Sequence, residues 1–265
     1  MIKAKLAGDR EMLVLNDDEG ISEELLLKGY HEPRCTSFMK RIVGYGTNIL
    51  EIGANIGYYA LIESELAGKE GMVYAIEPVP RNISCLLANI KEYDINNIKT
   101  YQVAIGFENT LKSMRLAKFS NSGTLMENDD KKVSQGYKDW FNGWYTEDIV
   151  VEQWNLDDFR DTNQIPIPEL IRMDVEGYEI EVISGAQKTL HEMLIGSHLF
   201  IELHPVVFND KLDAMYGLLE NLYSHGFRPR WCEGEEEFPS QLKTFTKYIC
   251  REEAHCPHVF FEKRK

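Results

Sequence analysis

The sequence predicts an α/β fold with a mostly parallel β-sheet. Short apolar segments of about five residues alternate with amphipathic segments of about ten to fifteen, which is typical of strand–helix–strand units. The first clear apolar segment, 48–52, leads directly into a glycine-rich turn and then into a helical pattern. The length of 265 residues fits one large domain of this kind or two small ones.

The predicted elements follow in order along the chain. The first 40 residues contain a short strand at 13–15 and a helix at 21–30, and we expect residues 1–40 to form an extension that packs on the core. Residues 41–265 are predicted to form the main domain. Apolar runs place its strands at 48–52, 72–76, 98–105, 170–173, 198–203, 226–231 and 258–261. Helical patterns place its helices at 55–65, 81–92, 178–193 and 213–224.

The stretch 107–167 interrupts this alternation and is interpreted as an insertion. It is rich in Ser, Asn and Gly and contains Trp140, Trp144 and Tyr145. We predict short antiparallel strands at 111–116 and 148–154 with a surface loop between them. Long loops in α/β domains are often functional, so the insertion is either a tolerated addition packed by its own aromatic residues or part of a substrate pocket.

Charge and hydropathy exclude several classes of protein. The chain has 29 Lys and Arg against 43 Asp and Glu, which gives a net charge of −14. Proteins that bind the phosphate backbone of nucleic acids need a basic surface, so no nucleic-acid partner is expected. Binding to an anionic membrane is disfavoured for the same reason. The sequence has neither a transmembrane run nor a signal peptide, so we expect a cytoplasmic protein without membrane insertion.

Five scattered cysteines do not form a disulfide framework, because their number is odd and their spacing irregular. Only the segment 250–258, with Cys250, His255, Cys256 and His258, resembles a metal-binding cluster. It lacks a close pair of cysteines and a clear second pair of ligands. Free thiols near a final strand are therefore favoured over a zinc site.

The most informative segment is the turn after the first main strand, 53–57. Gly53 and Gly57 permit a tight turn and a close backbone approach where open α/β sheets bind nucleotides. Ala54 and Asn55 stand where the dinucleotide fingerprint has another glycine, and no P-loop lysine follows. The turn is therefore typical of a site for a nucleoside that carries no phosphate.

Two acidic residues beside this turn indicate a positively charged nucleoside. Glu77 ends the next predicted strand, where a carboxylate can accept hydrogen bonds from both ribose hydroxyls. Glu51, just before the turn, favours a cation such as a sulfonium or an α-amino group. Together these features point to S-adenosylmethionine (SAM) as the cofactor.

With these residues in view, the chain resembles the FkbM family of methyltransferases. Segments 51–59 and 73–78 are similar to the family's first and second motifs. Segment 174–179, followed by Gly185 and Ala186, is similar to its Asp-Val-Glu-Gly-x-Glu signature, and Glu202 and His204 stand where the family has a late strand ending in Glu. The resemblance covers roughly residues 30–205. The departures are Arg172, where the family more often has Lys, and the aromatic insertion.

This resemblance implies a class I SAM-dependent methyltransferase, a Rossmann-like fold with a seven-stranded sheet and an antiparallel last strand. It also implies methylation of a hydroxyl, on a sugar, a glycoconjugate or a small natural product. Carried over to matching positions, it assigns SAM binding to Glu51, Gly53, Asn55, Gly57, Glu77 and Pro78.

The candidate catalytic residues are Asp174, Glu176 and His204, which all fall at or just beyond predicted strand ends. Methyl transfer to an alcohol requires close positioning of the two reactants and removal of the hydroxyl proton, which a carboxylate or a histidine can accept. Asp174 is also expected to contact the cofactor. A purely structural role is the alternative to catalysis for each residue. For example, Glu176 could cap the next helix, and His204 could fix a turn.

Other interpretations remain open at this point. Asp174, Glu176, Glu202 and His204 could form an oxygen-rich Mg²⁺ site that acidifies a hydroxyl, although no metal ligand is assigned. An NAD-type oxidoreductase, a non-catalytic nucleoside-binding module and an RNA methyltransferase are alternatives on the same fold. The sequence leaves the acceptor, the general base and the oligomeric state undetermined.

Overall fold

The computed structural model describes residues 1–7, 10–126, 130–251 and 256–265. Its strands in chain order are β1 (Ile2–Leu6), β2 (Arg10–Val14), β3 (Asn48–Ile52), β4 (Met72–Ile76), β5 (Ile98–Tyr101), β6 (Ala104–Gly106), β7 (Thr110–Ala117), β8 (Tyr145–Asn155), β9 (Leu170–Met173), β10 (His198–Glu202), β11 (Phe227–Cys232) and β12 (His258–Lys263). Its helices are α1 (Ile21–Lys28), α2 (Pro33–Ile42), α3 (Tyr58–Ala67), α4 (Pro80–Glu92), α5 (Gln135–Trp144), α6 (Leu156–Thr162), α7 (Glu179–Ser184), α8 (Gln187–Glu192), α9 (Lys211–Ser224) and α10 (Leu242–Ile249).

A seven-stranded sheet forms the centre of the molecule, in the order β11-β12-β10-β9-β3-β4-β5. The pairs from β10 to β5 are parallel, whereas β12 runs antiparallel to both of its neighbours. The predicted α/β fold, with an antiparallel last strand, is therefore confirmed. The parallel strands all end at one edge, which is where open sheets of this kind bind ligands.

Two hydrophobic cores cover the two faces of the sheet. Successive side chains of a strand point to opposite faces, so Leu50 and Ile52 of β3 join one core and Ile49 joins the other. The first core contains residues of α6 to α10, and the second contains residues of α1 to α4. Residues from β1 and β2, which pair as an antiparallel hairpin, pack into the second core.

A second sheet joins β7 and β8 of the insertion to β6, which directly precedes it, with β8 between β6 and β7. Strands β7 and β8 are antiparallel, in the region where the sequence predicts two such strands. Helix α5 precedes β8 inside the predicted surface loop, and Ser134 caps its first turn by accepting the backbone N–H of Tyr137. Its one fully buried side chain is Phe141.

Two predicted elements are wrong in detail. The single strand expected at 98–105 is two strands, because β5 ends at the edge of the main sheet and β6 then pairs with β8. The helix expected at 178–193 is divided into α7 and α8. The division falls at Gly185, which lies so close to Gly106 that an added Cβ would be 2.0 Å from the carbonyl oxygen of Gly106. Among the described residues, none of the helices has both the length and the apolar character needed to cross a bilayer.

Candidate active site

Two adjoining cavities lie at the carboxyl ends of the parallel strands. They share Gly53, Asn55, Asn121, Asp174 and Glu176 in their walls. The narrow cavity, of about 70 Å³, extends towards β4, and the wide cavity, of about 230 Å³, extends towards β10. We call them the narrow end and the wide end of one site.

A larger groove of about 1000 Å³ lies elsewhere, between the N-terminal hairpin and the far end of α3. Its lining includes Lys69 and Asn97, beside the amino ends of β4 and β5. None of the predicted site residues lines this groove. Because ligands of open parallel sheets bind at the carboxyl ends of the strands, the two smaller cavities are the better candidates for the active site.

Gly53 and Gly57, the two glycines of the turn, are required for different structural reasons. Gly53 has a φ of +88°, and an added Cβ would lie 1.9 Å from the carbonyl oxygen of Asp174. It therefore allows the turn after β3 to touch the end of β9. Gly57 has a φ of +97°, and a Cβ there would meet the side chain of Leu86 in α4 at 2.5 Å. Gly57 lines neither cavity, so the structure explains it by the packing of α3 against α4.

Glu77 lies at the narrow end and is almost completely buried. Its Oε2 accepts the backbone N–H of Asn55 and its Oε1 accepts that of Val79, each at 2.8 Å. Burial raises the pKa of Glu77 to about 7, against the lowering effect of these hydrogen bonds. Pro78 lines the same cavity. The residue predicted to hold a ribose therefore also fixes the glycine-rich turn.

Glu51 lies within β3 rather than in the turn, and it borders the wide end. Its Oε1 accepts a hydrogen bond from Nη1 of Arg172 at 2.7 Å, and both side chains are fully buried. The Arg172 guanidinium also lies 3.7 Å from the ring centre of Tyr59. Burial raises the pKa of Glu51 and raises that of its neighbour Glu63 further. The charge of Glu51 is thus matched by Arg172, so other carboxylates supply the free negative charge of the site.

His204 stands at the centre of the acidic cluster at the wide end. Its Nδ1 lies 2.7 Å from Oε1 of the buried Glu179, and its Nε2 lies 3.5 Å from Oε2 of Glu176 and 3.9 Å from Oε2 of Glu202. Burial alone would lower the pKa of His204, but Glu179 and Glu202 outweigh it and raise the pKa well above its usual value. Burial also raises the pKa values of Glu176 and Glu202.

The structure brings Asp174, Glu176 and His204 together, as their positions at strand ends predict. Asp174 lines both cavities, and its Oδ2 lies 3.3 Å from Nη2 of Arg172. The hydroxyl of Thr124, from the insertion, donates to the carbonyl of Glu176 at 3.1 Å. The insertion therefore touches the candidate catalytic segment.

Backbone strain is concentrated around this site. Five non-glycine residues described in the structure have a positive φ, and three of them line the wide end: Glu32, Asn55 and Glu176. A left-handed conformation is unfavourable for such residues and persists only where the surroundings enforce it. Asparagine adopts this conformation readily, so the unfavourable cases at the wide end are Glu32 and Glu176, which the surrounding packing holds in place.

Several residues of the site were not singled out by the sequence. Glu179 holds His204, His258 faces Glu32, and Trp140 of the insertion borders the wide end. Glu179 is the last residue of the signature segment 174–179, so its place in that motif could have identified it as a site residue. Trp140 was noted only as an aromatic residue of the insertion. Glu32 belongs to the segment 31–33, for which the sequence suggests only that it could close over the methionine end of the cofactor.

Comparisons with known proteins agree with this geometry. The profile described as Methyltransferase FkbM domain matches residues 51–229. A protein-L-isoaspartate O-methyltransferase of Methanococcoides burtonii is 38% identical over 53 residues, which are 20% of this chain and 26% of that protein. The chain thus matches about a quarter of the length of the curated relatives it resembles.

Solved structures show the same fold. A candidate rRNA methylase from Clostridium thermocellum aligns with a TM-score of 0.52 and 8% identity, over 88% of this chain and 95% of that one. The FkbM methyltransferase from Methylobacillus flagellatus KT aligns with a TM-score of 0.47 and 17% identity, over 81% of this chain and 43% of that one. The fold is that of class I SAM-dependent methyltransferases, and with the profile covering more than half of its length, the chain belongs to the FkbM methyltransferase family.

Proposed function

We propose that the protein is a SAM-dependent methyltransferase that methylates a hydroxyl group of a sugar, a glycoconjugate or a similar small polar acceptor. The observation that carries this proposal is the continuity of the site. One end presents a carboxylate suited to ribose hydroxyls, and the other presents an acid–histidine cluster suited to accept a proton. The two ends meet at Gly53 and Asp174.

The residues of the site fit SAM. Glu77 and Asn55 would hold its ribose, with Gly53 and Pro78 beside them, and Asp174 would border the junction of the two ends. Asn121 Oδ1 is buried and has no hydrogen-bond partner among the described residues, so it is an acceptor available to the nucleoside. When bound, SAM supplies a methyl group on a positively charged sulfur.

The charges of the wide end suit a cationic ligand. Its lining contains five carboxylates, and their cationic partners are a guanidinium and imidazoles. Glu51 is matched by Arg172, which leaves the cluster around His204 as the source of attraction for a cation. The carboxylates of this lining are Glu32, Glu51, Asp174, Glu176 and Glu202.

The pair formed by Glu176 and His204 is the proposed acceptor of the hydroxyl proton. The acceptor oxygen forms a bond to the methyl carbon as the bond from sulfur to that carbon breaks, and sulfur retains the electron pair. The proton passes to the Glu176–His204 pair, which titrates as one unit because the two groups are in contact. Glu179 is a positioning residue, since it holds the Nδ1 side of His204.

The mouth of the wide end supports a sugar-like acceptor. Trp140 lines the cavity while 46% of its surface remains exposed, and the buried Tyr59 lines the same cavity. A sugar presents an apolar ring face, which packs on aromatic rings, and hydroxyl groups, which carboxylates can bind. Both kinds of surface are present here. The cavity volume of about 230 Å³ is suited to a small acceptor or to one residue of a larger glycan.

Calorimetric titration with S-adenosylhomocysteine (SAH) tests cofactor binding. The wild type is expected to bind SAH, and Glu77→Ala is expected to lose at least about tenfold in affinity, since the carboxylate also holds the turn. Glu70→Ala is the matched control, because Glu70 is exposed near the amino end of β4. Absence of SAH binding in the folded wild type would overturn the proposal.

A screen of hydroxylated acceptors, read by SAH formation, tests the reaction. We expect turnover with a saccharide or a glycosylated small molecule, and loss of that turnover in Glu176→Gln. Turnover with only non-hydroxyl acceptors would contradict O-methylation while leaving SAM binding intact.

A further inference from the structure

A second group of chemically distinctive side chains lies beside the wide end. Glu32 is the residue before α2, Cys35 lies in the first turn of α2, and His258 is the first residue of β12. One donor atom from each of the three lies within 4.8 Å of the others. Cys35 and His258 are buried, whereas Glu32 also lines the wide end. The group thus joins a segment that precedes the main sheet to the last strand of the chain.

The imidazole of His258 is oriented as a metal ligand would be. Its Nδ1 lies 3.1 Å from Oε2 of Glu233, which lets this nitrogen donate its hydrogen to the carboxylate. Its Nε2 is buried and makes no hydrogen bond of acceptable geometry among the described residues, although Oε2 of Glu32 lies 3.2 Å away. Metal-bound histidines commonly donate one ring N–H to a carboxylate and offer the other nitrogen to the ion.

We propose that Glu32, Cys35 and His258 bind a divalent transition metal ion, with zinc as the ion that suits their donor atoms best. A thiolate, an imidazole nitrogen and a carboxylate oxygen are the typical ligands of Zn²⁺, whereas Mg²⁺ and Ca²⁺ prefer oxygen ligands alone. On binding, the thiol of Cys35 releases its proton to solvent and its sulfur bonds to the ion.

The surroundings provide access and support for such an ion. Glu32 forms part of the wall of the wide end, so an ion can reach the group through that cavity. The hydroxyl of Tyr59 donates to Oε2 of Glu32 at 2.7 Å and holds the carboxylate in place. Glu202, which is paired with His258 across β10 and β12, places a further carboxylate oxygen 3.8 Å from Nε2 of His258.

The proposed ion is distinct from the metal-like segment in the sequence. Cys250 of that segment donates to the carbonyl of Lys211, away from the site, and His255 lies outside the described residues. Only His258 belongs to the proposed group, and its partners lie more than 200 positions earlier in the chain. Spacing along the sequence therefore gave no indication of it.

Titration of the metal-free protein with Co²⁺, a spectroscopic substitute for Zn²⁺, tests the proposal without any methyltransferase assay. The wild type is expected to bind one equivalent, with intense near-ultraviolet absorption from sulfur-to-cobalt charge transfer, and Zn²⁺ is expected to remove that absorption. Cys35→Ser is expected to abolish it. Cys85→Ser is the matched control, since Cys85 is equally buried but lies in α4 and contacts Leu13.

Several outcomes would overturn the proposal. Failure of the wild type to bind Co²⁺, or binding without sulfur absorption, would mean that Glu32 and His258 form only an ion pair. Loss of the absorption in Cys256→Ser but not in Cys35→Ser would place the ion with Glu202 and His204 instead. If Cys35→Ser does not fold, zinc X-ray absorption of the Cys256→Ser protein decides, because one sulfur neighbour at about 2.3 Å supports the site and none contradicts it.

Discussion

At the narrow end of the site, both oxygens of Glu77 accept backbone N–H groups, whereas at the wide end the carboxylates face other side chains. The backbone donors to Glu77 are Asn55 and Val79, and the side-chain amide of Asn82 donates as well, so all three lie within 22 positions of it. At the wide end, Glu51 pairs with Arg172, which is 121 positions away, and Glu32 pairs with His258, which is 226 positions away. The narrow end is thus built by adjacent strand–turn–helix units, and the wide end by distant parts of the chain.

The two ends also differ in how fully their carboxylate oxygens are satisfied, although the amide oxygen of Asn121, which borders both ends, also lacks a partner among the described residues. Oε2 of Glu51 and Oε2 of Glu179, both behind the wide end, are buried without a hydrogen-bond partner among the described residues. Unsatisfied buried carboxylate oxygens are unfavourable for stability, and they are tolerated at sites that bind a ligand or move a proton. The narrow end therefore holds its carboxylate with both oxygens hydrogen-bonded, whereas buried carboxylate oxygens without partners lie behind the wide end.

The junction of the two ends is where a substitution is expected to have the largest effect. Gly53→Ala would place a methyl group 1.9 Å from the carbonyl oxygen of Asp174, at a φ of +88°. We expect the free energy of unfolding to fall by about 3 kcal/mol or more, because the left-handed strain and a backbone clash add together. Equilibrium unfolding in urea measures this change in the free energy of unfolding.

Gly217→Ala provides the matched control for that substitution. Gly217 is exposed in α9, and an added Cβ there meets no atom within 4 Å. The control is expected to raise the free energy of unfolding by about 0.5–1 kcal/mol, since alanine is the better helix former. Equal destabilisation by both substitutions would contradict the assigned contact between the turn and β9.

The wide end is expected to govern the rate rather than the affinity for the cofactor. His204→Asn should reduce kcat by about 10²- to 10⁴-fold, the usual range for general base catalysis, with SAH affinity nearly unchanged. The reason is that His204 keeps Glu176 ionised, because its charge and hydrogen bond lower the pKa of that carboxyl. His198→Asn should leave kcat unchanged, because His198 begins β10 at the end opposite to the segment that carries His204. Circular dichroism checks that both variants fold. A loss of SAH affinity that matches the loss of kcat would show that His204 belongs to the binding machinery instead.

The same contrast explains what the sequence could and could not predict. The strands at 48–52, 72–76 and 170–173 agree with the structure residue for residue, because apolar periodicity and glycine turns are local properties. The meeting of Asp174, Glu176 and His204 at one edge followed from the topology of parallel sheets.

The partners of those residues could not be predicted in the same way. The sequence distinguished Arg172 only as a departure from the family pattern, and the structure identifies its partner as Glu51, which is 121 positions away. Glu32 and His258 meet only because α2 packs beside β12. Such contacts depend on tertiary packing between segments far apart in sequence, and neither spacing nor composition encodes them. The different roles of Gly53, which approaches the end of β9, and Gly57, which packs against α4, likewise depend on their neighbours in space.

The pH dependence of nucleoside binding sharpens the comparison at the narrow end. Burial raises the pKa of Glu77 to about 7, so its ionised fraction rises from about one-tenth at pH 6 to about nine-tenths at pH 8. A carboxylate accepts ribose hydroxyls better than a carboxylic acid does, so affinity should increase as the pH rises. Titration with 5′-methylthioadenosine, which lacks the amino-acid part of SAM, is expected to show up to about tenfold tighter binding at pH 8.

Glu77→Gln isolates this effect, because the amide keeps the shape of the side chain and does not titrate between pH 6 and 8. The variant is expected to bind the nucleoside more weakly, with an affinity that does not change with pH. A wild-type affinity that is constant across this range, or an equal slope in the variant, would show that Glu77 does not contact the nucleoside.

The smallest expected effect concerns Trp140, at the exposed mouth of the wide end. Trp140→Ala should raise the KM for the best acceptor by about two- to tenfold at saturating SAM, which corresponds to the loss of one aromatic contact. Its side chain is half-exposed, so the free energy of unfolding should change by less than about 1 kcal/mol. Trp144→Ala is the matched control, since Trp144 ends the same helix, is similarly exposed and packs on Phe119 without lining the cavity. Equal KM values for the two variants would show that Trp140 of the insertion does not contribute to acceptor binding. Residues of the main sheet would then account for acceptor binding at the wide end.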